Sequence, residues 1–138
     1  MIKKIVLATG NKSKVKEITA ALSDIPEFNG ITVVSMKDEG IDIDIEETGS
    51  TYVENAVIKA KKICEKTGLP AMADDSGVEI DYLHGAPGVY SARFLGENTP
   101  YSEKIQYILD ELKKTGNRKC AYITAIAIAF PDGTLYTT

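Results

Sequence analysis

Apolar and polar positions alternate along this chain in two distinct periods. Ile5-Val6-Leu7 is a short continuous apolar run, which predicts a strand over 2–7. Val15, Ile18, Ala21 and Leu22 then recur at three- and four-residue spacing and predict a helix over 13–23 with that face inward. A strand is predicted at 31–35. The helical period returns over 51–66, where Val53, Ala56, Ala60 and Ile63 share one face and Thr51 and Glu54 stand in capping-box spacing. Strands at 70–73 and 78–82 flank AlaAspAspSerGly (73–77). Thr99 and Pro100 signal another helix start, with Ile105, Ile108, Leu109 and Leu112 as a core-facing stripe and Gly116 as its stop. Cys120 to Phe130 alternates Ala with larger side chains as a long strand, and ProAspGlyThr (131–134) turns it into a return strand at Leu135. Alternating elements of this kind predict an α/β fold, a single domain over 1–138 whose central mixed, twisted sheet is flanked by helices.

Two of the junctions carry charge in a pattern that suits phosphate. AlaThrGlyAsnLysSerLys (8–14) joins a strand to a helix. Backbone N–H groups at a helix start favour an anion, and Lys12 and Lys14 place positive charge in a first turn where only a bound polyanion would relieve their conflict with the helix dipole. The same residues also read as plain local structure, with Asn11 or Ser13 as an N-cap and the lysines solvated. The segment is neither a GxxxxGK[ST] loop nor a GxGxxG fingerprint. Asp74 and Asp75 are adjacent acids, and two carboxylates side by side repel each other unless a cation or proton lies between them. That suggests Mg²⁺ and a phosphate-bearing substrate, although an Asp pair before Ser-Gly is also ordinary turn chemistry. Glu46 and Glu47 precede the second helix, where the dipole alone stabilises an acid, and Lys59 lies two turns inside it.

Length and charge narrow the function classes. The 138 residues, 43% hydrophobic, suffice for a buried core. A net charge of −4 argues against a broad nucleic-acid or anionic-membrane surface while allowing a local basic cradle. The N-terminal apolar run is too short for a signal peptide or membrane span, and two cysteines without CxxC spacing suit a reduced cytoplasmic protein. The single histidine, His84, excludes a His-rich metal site.

ThrGlyAsn-x-x-Lys (9–14), GluThrGly-x-Thr-x-x-GluAsnAla (47–56), AlaAspAspSerGly (73–77) and GlyAlaProGlyValTyrSerAlaArg (85–93) occur in the order and at the intervals of one family. With those four motifs the chain resembles the inosine triphosphate pyrophosphatase (Ham1-like) family over residues 2 to about 130. The resemblance implies that family's α/β architecture, of the anticodon-binding type, and Mg²⁺-dependent hydrolysis of ITP, dITP and XTP to the monophosphate and pyrophosphate by water attack at the α-phosphate. It implies Glu47, Asp74 and Asp75 as metal ligands and Asp75 as general base. Thr9, Gly10, Asn11, Lys12, Ser13, Lys14, Lys59 and Ser76 become substrate-binding positions, and a homodimer is implied.

The 85–93 segment is read as a supporting or subunit-contact loop. Family members continue beyond the position of Thr138 with segments that contact the purine base. The chain is therefore expected to be incomplete at its C-terminus, holding the phosphate and metal half of the site. The alternatives are a Maf-type nucleotide pyrophosphatase, whose N-terminal SerPro-ArgArg-like motif is not matched, and a non-catalytic nucleotide-binding fragment. A phosphoryl-aspartate phosphatase, with an acid as nucleophile, is a third.

Overall fold

A computed structural model describes residues 2–138. Eight regular elements follow in chain order: β1 (Lys4–Leu7), α1 (Lys12–Ser23), β2 (Thr32–Ser35), α2 (Tyr52–Thr67), β3 (Ala71–Ile80), α3 (Tyr101–Leu112), β4 (Cys120–Ala129) and β5 (Leu135–Thr137). The strands form one sheet in the order β2-β1-β3-β4-β5. It is a mixed sheet: β1 pairs in parallel with both β2 and β3, whereas β4 and β5 are antiparallel. The backbone gathers into two compact units, one running up to Asp74 and resuming at Ala125–Thr138, the other Asp75–Thr124.

In the first unit the sheet is apolar on both faces, as strands enclosed by parallel neighbours and covering helices require. Odd and even positions divide the work. Val6, Ala71, Ala73, Ala127 and Ala129 meet Ala56, Ala60, Ile63 and Cys64 of α2. Ile5, Leu7, Met72, Ile126 and Ile128 meet Val15, Ile18 and Leu22 of α1. Alanine dominates the strands' α2 face and so allows that helix close approach, while the larger side chains fill the α1 face. An extended run, Ile41, Ile43 and Ile45, packs on the α2 cluster through alternate residues, leaving Asp42 and Asp44 between them. Ala21 and Val53, expected on the inward faces of their helices, are exposed.

Helix α2 begins and ends as its sequence predicts. Thr51 Oγ1 accepts from the Glu54 N–H and the Glu54 carboxylate accepts from the Thr51 N–H, closing the capping box, and Gly68 ends the helix at φ 66°.

The second unit departs from expectation in three places. AspAspSerGly is not a turn. The two strands predicted at 70–73 and 78–82 are one, β3, which passes through all four residues and ends at Ile80, followed by a 3-10 turn over Asp81–Leu83. Gly77 serves close approach rather than a reversal: a Cβ there would be driven into the Gly88 carbonyl and lie 2.8 Å from Ser91 Oγ. The second departure is the end of α3. The helix stops at Leu112, before Gly116, and the Arg118 guanidinium donates to the Leu112 carbonyl, satisfying a terminal acceptor from outside the helix.

The third is the α3 stripe, which is not core. Ile105 and Leu109 are 55% and 49% exposed, and Ile108 and Leu112 are only partly covered. The one buried residue of that helix is Lys104, whose ammonium donates to the Ala92 carbonyl at 2.6 Å. Apolar periodicity reports a helix; it does not report whether a surface lies opposite.

Two outcomes test these contacts. Gly77→Ala is expected to destabilise the chain by about 1–3 kcal/mol, the usual cost of overpacking, as a lowered midpoint in urea. An unchanged midpoint would mean that the Gly88 turn does not rest on β3. For the capping box, hydrogen bonds from Ser50 and Thr51 hold the Glu54 carboxyl below the ordinary carboxylate range. A carboxyl depressed on folding adds stability above its unfolded pKa and loses it as pH falls through the folded value. Thermal midpoints followed from pH 6 down to pH 3 should therefore fall less steeply in Glu54→Gln than in the parent.

Candidate active site

In the first unit the predicted phosphate turn lies at the C-terminal ends of the parallel strands β1 and β2. Leu7 pairs with Ser35, the last residue of β2, on one side and with Met72, near the start of β3, on the other. Loops at the carboxyl ends of parallel strands are where open α/β sheets hold ligands. Ala8 N–H donates to Met72 O at 2.8 Å, and Met36 N–H to Leu7 O at 2.9 Å, fixing the start of the turn.

The turn uses much of its own polar capacity. Thr9 Oγ1 accepts from the Asn11 N–H at 3.1 Å. Asn11 Oδ1 accepts from the N–H groups of Ser13, at 2.9 Å, and Lys14, at 3.4 Å. Asn11 is thus the N-cap of α1, and the local-structure alternative holds for it: these two N–H groups are turned to the cap. Lys12 opens the helix. Its charge, after the hydrogen bonds from Ser35 Oγ and N–H, helps hold the Asp38 carboxyl below the ordinary range. At Gly10 a Cβ would lie 3.1 Å from the Lys37 Cε, so the Lys37 stem covers the turn. Lys37 carries no motif signal. Only the pairing of β2 beside β1 brings it there.

Lys14 reaches across from α1 to the Asp74 carboxylate on β3 and forms an ion pair with it. A second pair joins Lys59 of α2 to Glu47, Nζ to Oε1 2.5 Å. The loop carrying Glu47 is tied down by Asn55, fully buried, whose Oδ1 accepts from the Gly49 N–H at 2.8 Å. A Cβ on Gly49 would sit 2.6 Å from that same oxygen. The GluThrGly-x-Thr-x-x-GluAsnAla motif is therefore largely a device for fixing a loop: Gly49 and Asn55 close it, Thr51 and Glu54 cap the helix, and Glu47 and Lys59 meet as an ion pair.

The second unit carries the other predicted residues. Asp75 is buried, 8% exposed, with one carboxylate oxygen 3.0 Å from the Ser76 N–H. Ser76 Oγ lies 3.1 Å from the Tyr122 hydroxyl on β4, a contact no sequence spacing announced. Behind this strand the 85–93 segment folds back, with the Gly85 N–H donating to Ile80 O at 3.0 Å and Ser91 Oγ to Gly88 O at 2.6 Å. Arg93 lies over the Tyr90 ring, 5.5 Å from its centroid.

Asp74 and Asp75 are successive residues of β3, and successive positions of a strand alternate between its two faces. Among the described residues, no three of His, Cys, Asp and Glu gather as a ready-made cation cage. The donor chemistry nevertheless suits Mg²⁺, a hard cation that takes one or two carboxylates and completes its shell with water and phosphate oxygens. Asp74 and Glu47 are the candidate carboxylates of the first unit. Among the described residues no helix is long and apolar enough to cross a membrane.

With Asn11 seated as the N-cap, Asn11→Ala should cost about 1 kcal/mol in urea unfolding without any nucleotide present, whereas Asn11→Asp should hold within a few tenths. Equal losses in the two variants would remove the side-chain cap.

The sequence model of the Ham1 family matches residues 5–138. The dITP/XTP pyrophosphatase of Photobacterium profundum is 47% identical over 110 residues, covering 80% of this chain and 53% of that protein. The dITP/XTP pyrophosphatase of Shigella flexneri is 48% identical over 112 residues, 81% of this chain and 54% of that protein. The chain thus spans about half the length of the curated relatives it matches. Among solved structures, a HAM1 protein from Coxiella burnetii superposes with a TM-score of 0.85 at 39% identity, over 99% of this chain and 68% of that one. The Staphylococcus aureus Ham1 protein gives 0.83 at 33% identity, over 98% and 67%.

Proposed function

This chain belongs to the Ham1 family, and from that premise we propose that it supplies the phosphate- and metal-binding part of a pyrophosphatase acting on non-canonical purine nucleoside triphosphates. The observation that carries the reading is the pairing of lysines with carboxylates at family motif positions, Lys14 with Asp74 and Lys59 with Glu47. Each pair offers a cation for a phosphate oxygen and an oxygen ligand for a hard metal ion. The names of the relatives support dITP and XTP as substrates, with ITP as their close chemical kin.

In this reading Lys14 and Lys59 turn to the triphosphate and offset charge that builds on the departing pyrophosphate. Mg²⁺, when bound by Asp74 and Glu47, supplies further charge neutralisation on the phosphates. Asp75 is assigned as the base that takes a proton from water attacking the α-phosphate, and its burial beside the Ser76 N–H holds its carboxylate in one orientation. Water replaces an enzyme nucleophile, so no covalent intermediate forms. Ser76, held to Tyr122, is assigned to the substrate.

Pyrophosphate release from ITP, XTP and ATP with Mg²⁺ tests the proposal directly. Turnover of ITP and XTP is expected, and Asp75→Asn should lower it at least a hundredfold without lowering the thermal midpoint, in the range for loss of a general base. Glu47→Gln should raise the Mg²⁺ concentration needed for half-maximal rate. Nucleotide binding by calorimetry with no turnover in the parent would leave a nucleotide-binding module in place of an enzyme. Activity of Asp75→Asn within twofold of the parent would remove Asp75 as the base.

A further inference from the structure

Both ion pairs of the candidate site join opposite partners of the same proposed reaction. Asp74 and Glu47 are the carboxylates assigned to the cation, and Lys14 and Lys59 are the ammonium groups assigned to phosphate. The four side chains are only partly open to solvent, at 37% and 16% for Lys14 and Asp74 and 15% and 30% for Lys59 and Glu47. Each pair sets one ammonium against one carboxylate. A divalent cation arriving alone meets two carboxylates already compensated, and a polyphosphate arriving alone meets two compensated lysines.

We propose that Lys14 and Lys59 act as masks that select the cation–polyphosphate complex over either component. Swinging an ammonium from carboxylate to phosphate exposes the carboxylate at the moment the cation needs it, so each ligand removes the obstacle to the other. The inference rests on the reading given above and adds to it a specificity: the ligand is the metal complex of a triphosphate, and free cation binds poorly. Coupling of this kind is reciprocal by thermodynamic necessity. It differs from a purely structural role for the pairs in one outcome. A staple, when cut, weakens the fold and raises cation affinity only through the lost charge, leaving the effect of Mg²⁺ on polyphosphate binding as it was, whereas loss of a mask also removes that coupling.

Mn²⁺, followed by electron paramagnetic resonance in the absence of nucleotide, is the probe. Lys14→Met and Lys59→Met are each expected to bind Mn²⁺ about fivefold more tightly than the parent, the scale of a partly exposed ion pair. Lys16→Met and Lys62→Met make the same change of charge on α1 and α2 at residues outside the two pairs, and should shift Mn²⁺ affinity less than twofold. Should a methionine variant unfold, Lys14→Gln and Lys59→Gln remove the charge while keeping a polar end. Inorganic tripolyphosphate supplies the second arm. Mg²⁺ should strengthen its binding to the parent severalfold more than its binding to the Lys14→Met and Lys59→Met variants. Mn²⁺ affinity unchanged or weakened in both variants overturns the masking, and so does an equal gain in the Lys16 and Lys62 controls. Absence of purine triphosphate hydrolysis in the parent would instead defeat the proposed function, and the Mn²⁺ comparison would still decide the masks.

Discussion

The parallel placement of β1 between β2 and β3 is the constraint on which the first unit depends. A central strand with paired edges and covered faces favours apolar side chains, and Ile5, Val6 and Leu7 are all buried while Lys4 at its start is not. Its polar backbone is taken up by its neighbours, so the chain can turn toward solvent only where β1 ends. That end is the ThrGlyAsn turn. The same geometry sets the loop after β2 and the Asp74 stretch of β3 at the same end of the sheet, and brings an acid from a distant part of the chain within reach of Lys14. Position in the sheet, more than any single motif, assembles the charged groups.

Charge balance in the absence of ligand follows from that assembly. A charged group left alone in a partly buried place carries a cost, and the pairs Lys14–Asp74 and Lys59–Glu47 offset it. The local motifs are spent mostly on rigidity: Asn11 caps α1, Asn55 ties the Glu47 loop, and Thr51 and Glu54 close the start of α2. Polar residues of the family signature divide into those that build the frame and those that meet as ion pairs.

The second unit is organised differently. Lys104 is buried through a hydrogen bond to a loop carbonyl while the apolar residues beside it on α3 face solvent. The 85–93 loop packs on β3 at Gly77, where only a hydrogen atom fits. Supporting the strand that carries Asp75 and Ser76 is thus the visible work of the GlyAlaProGlyValTyrSerAlaArg motif within that unit.

Much of this was legible in the residues. Local signals are complete within a few positions of the chain: the capping box at Thr51, the apolar run of β1 and the alternation of β4 all depend on neighbours in sequence, and each stands where its pattern placed it. The family signature, too, is a property of order and spacing. What the residues alone did not decide are contacts across the fold. AspAspSerGly has the composition of a turn, yet all four residues lie within the strand β3. Helix α3 ends at Leu112, whose carbonyl accepts from Arg118, and not at Gly116, and its apolar stripe is left largely exposed. Lys37 over Gly10 and Tyr122 beside Ser76 come from different strands or loops and have no fixed spacing to their partners. Periodicity encodes which element forms and which face is apolar. Which carboxylate meets which lysine depends on strand order and register, and these exist only once the chain has folded.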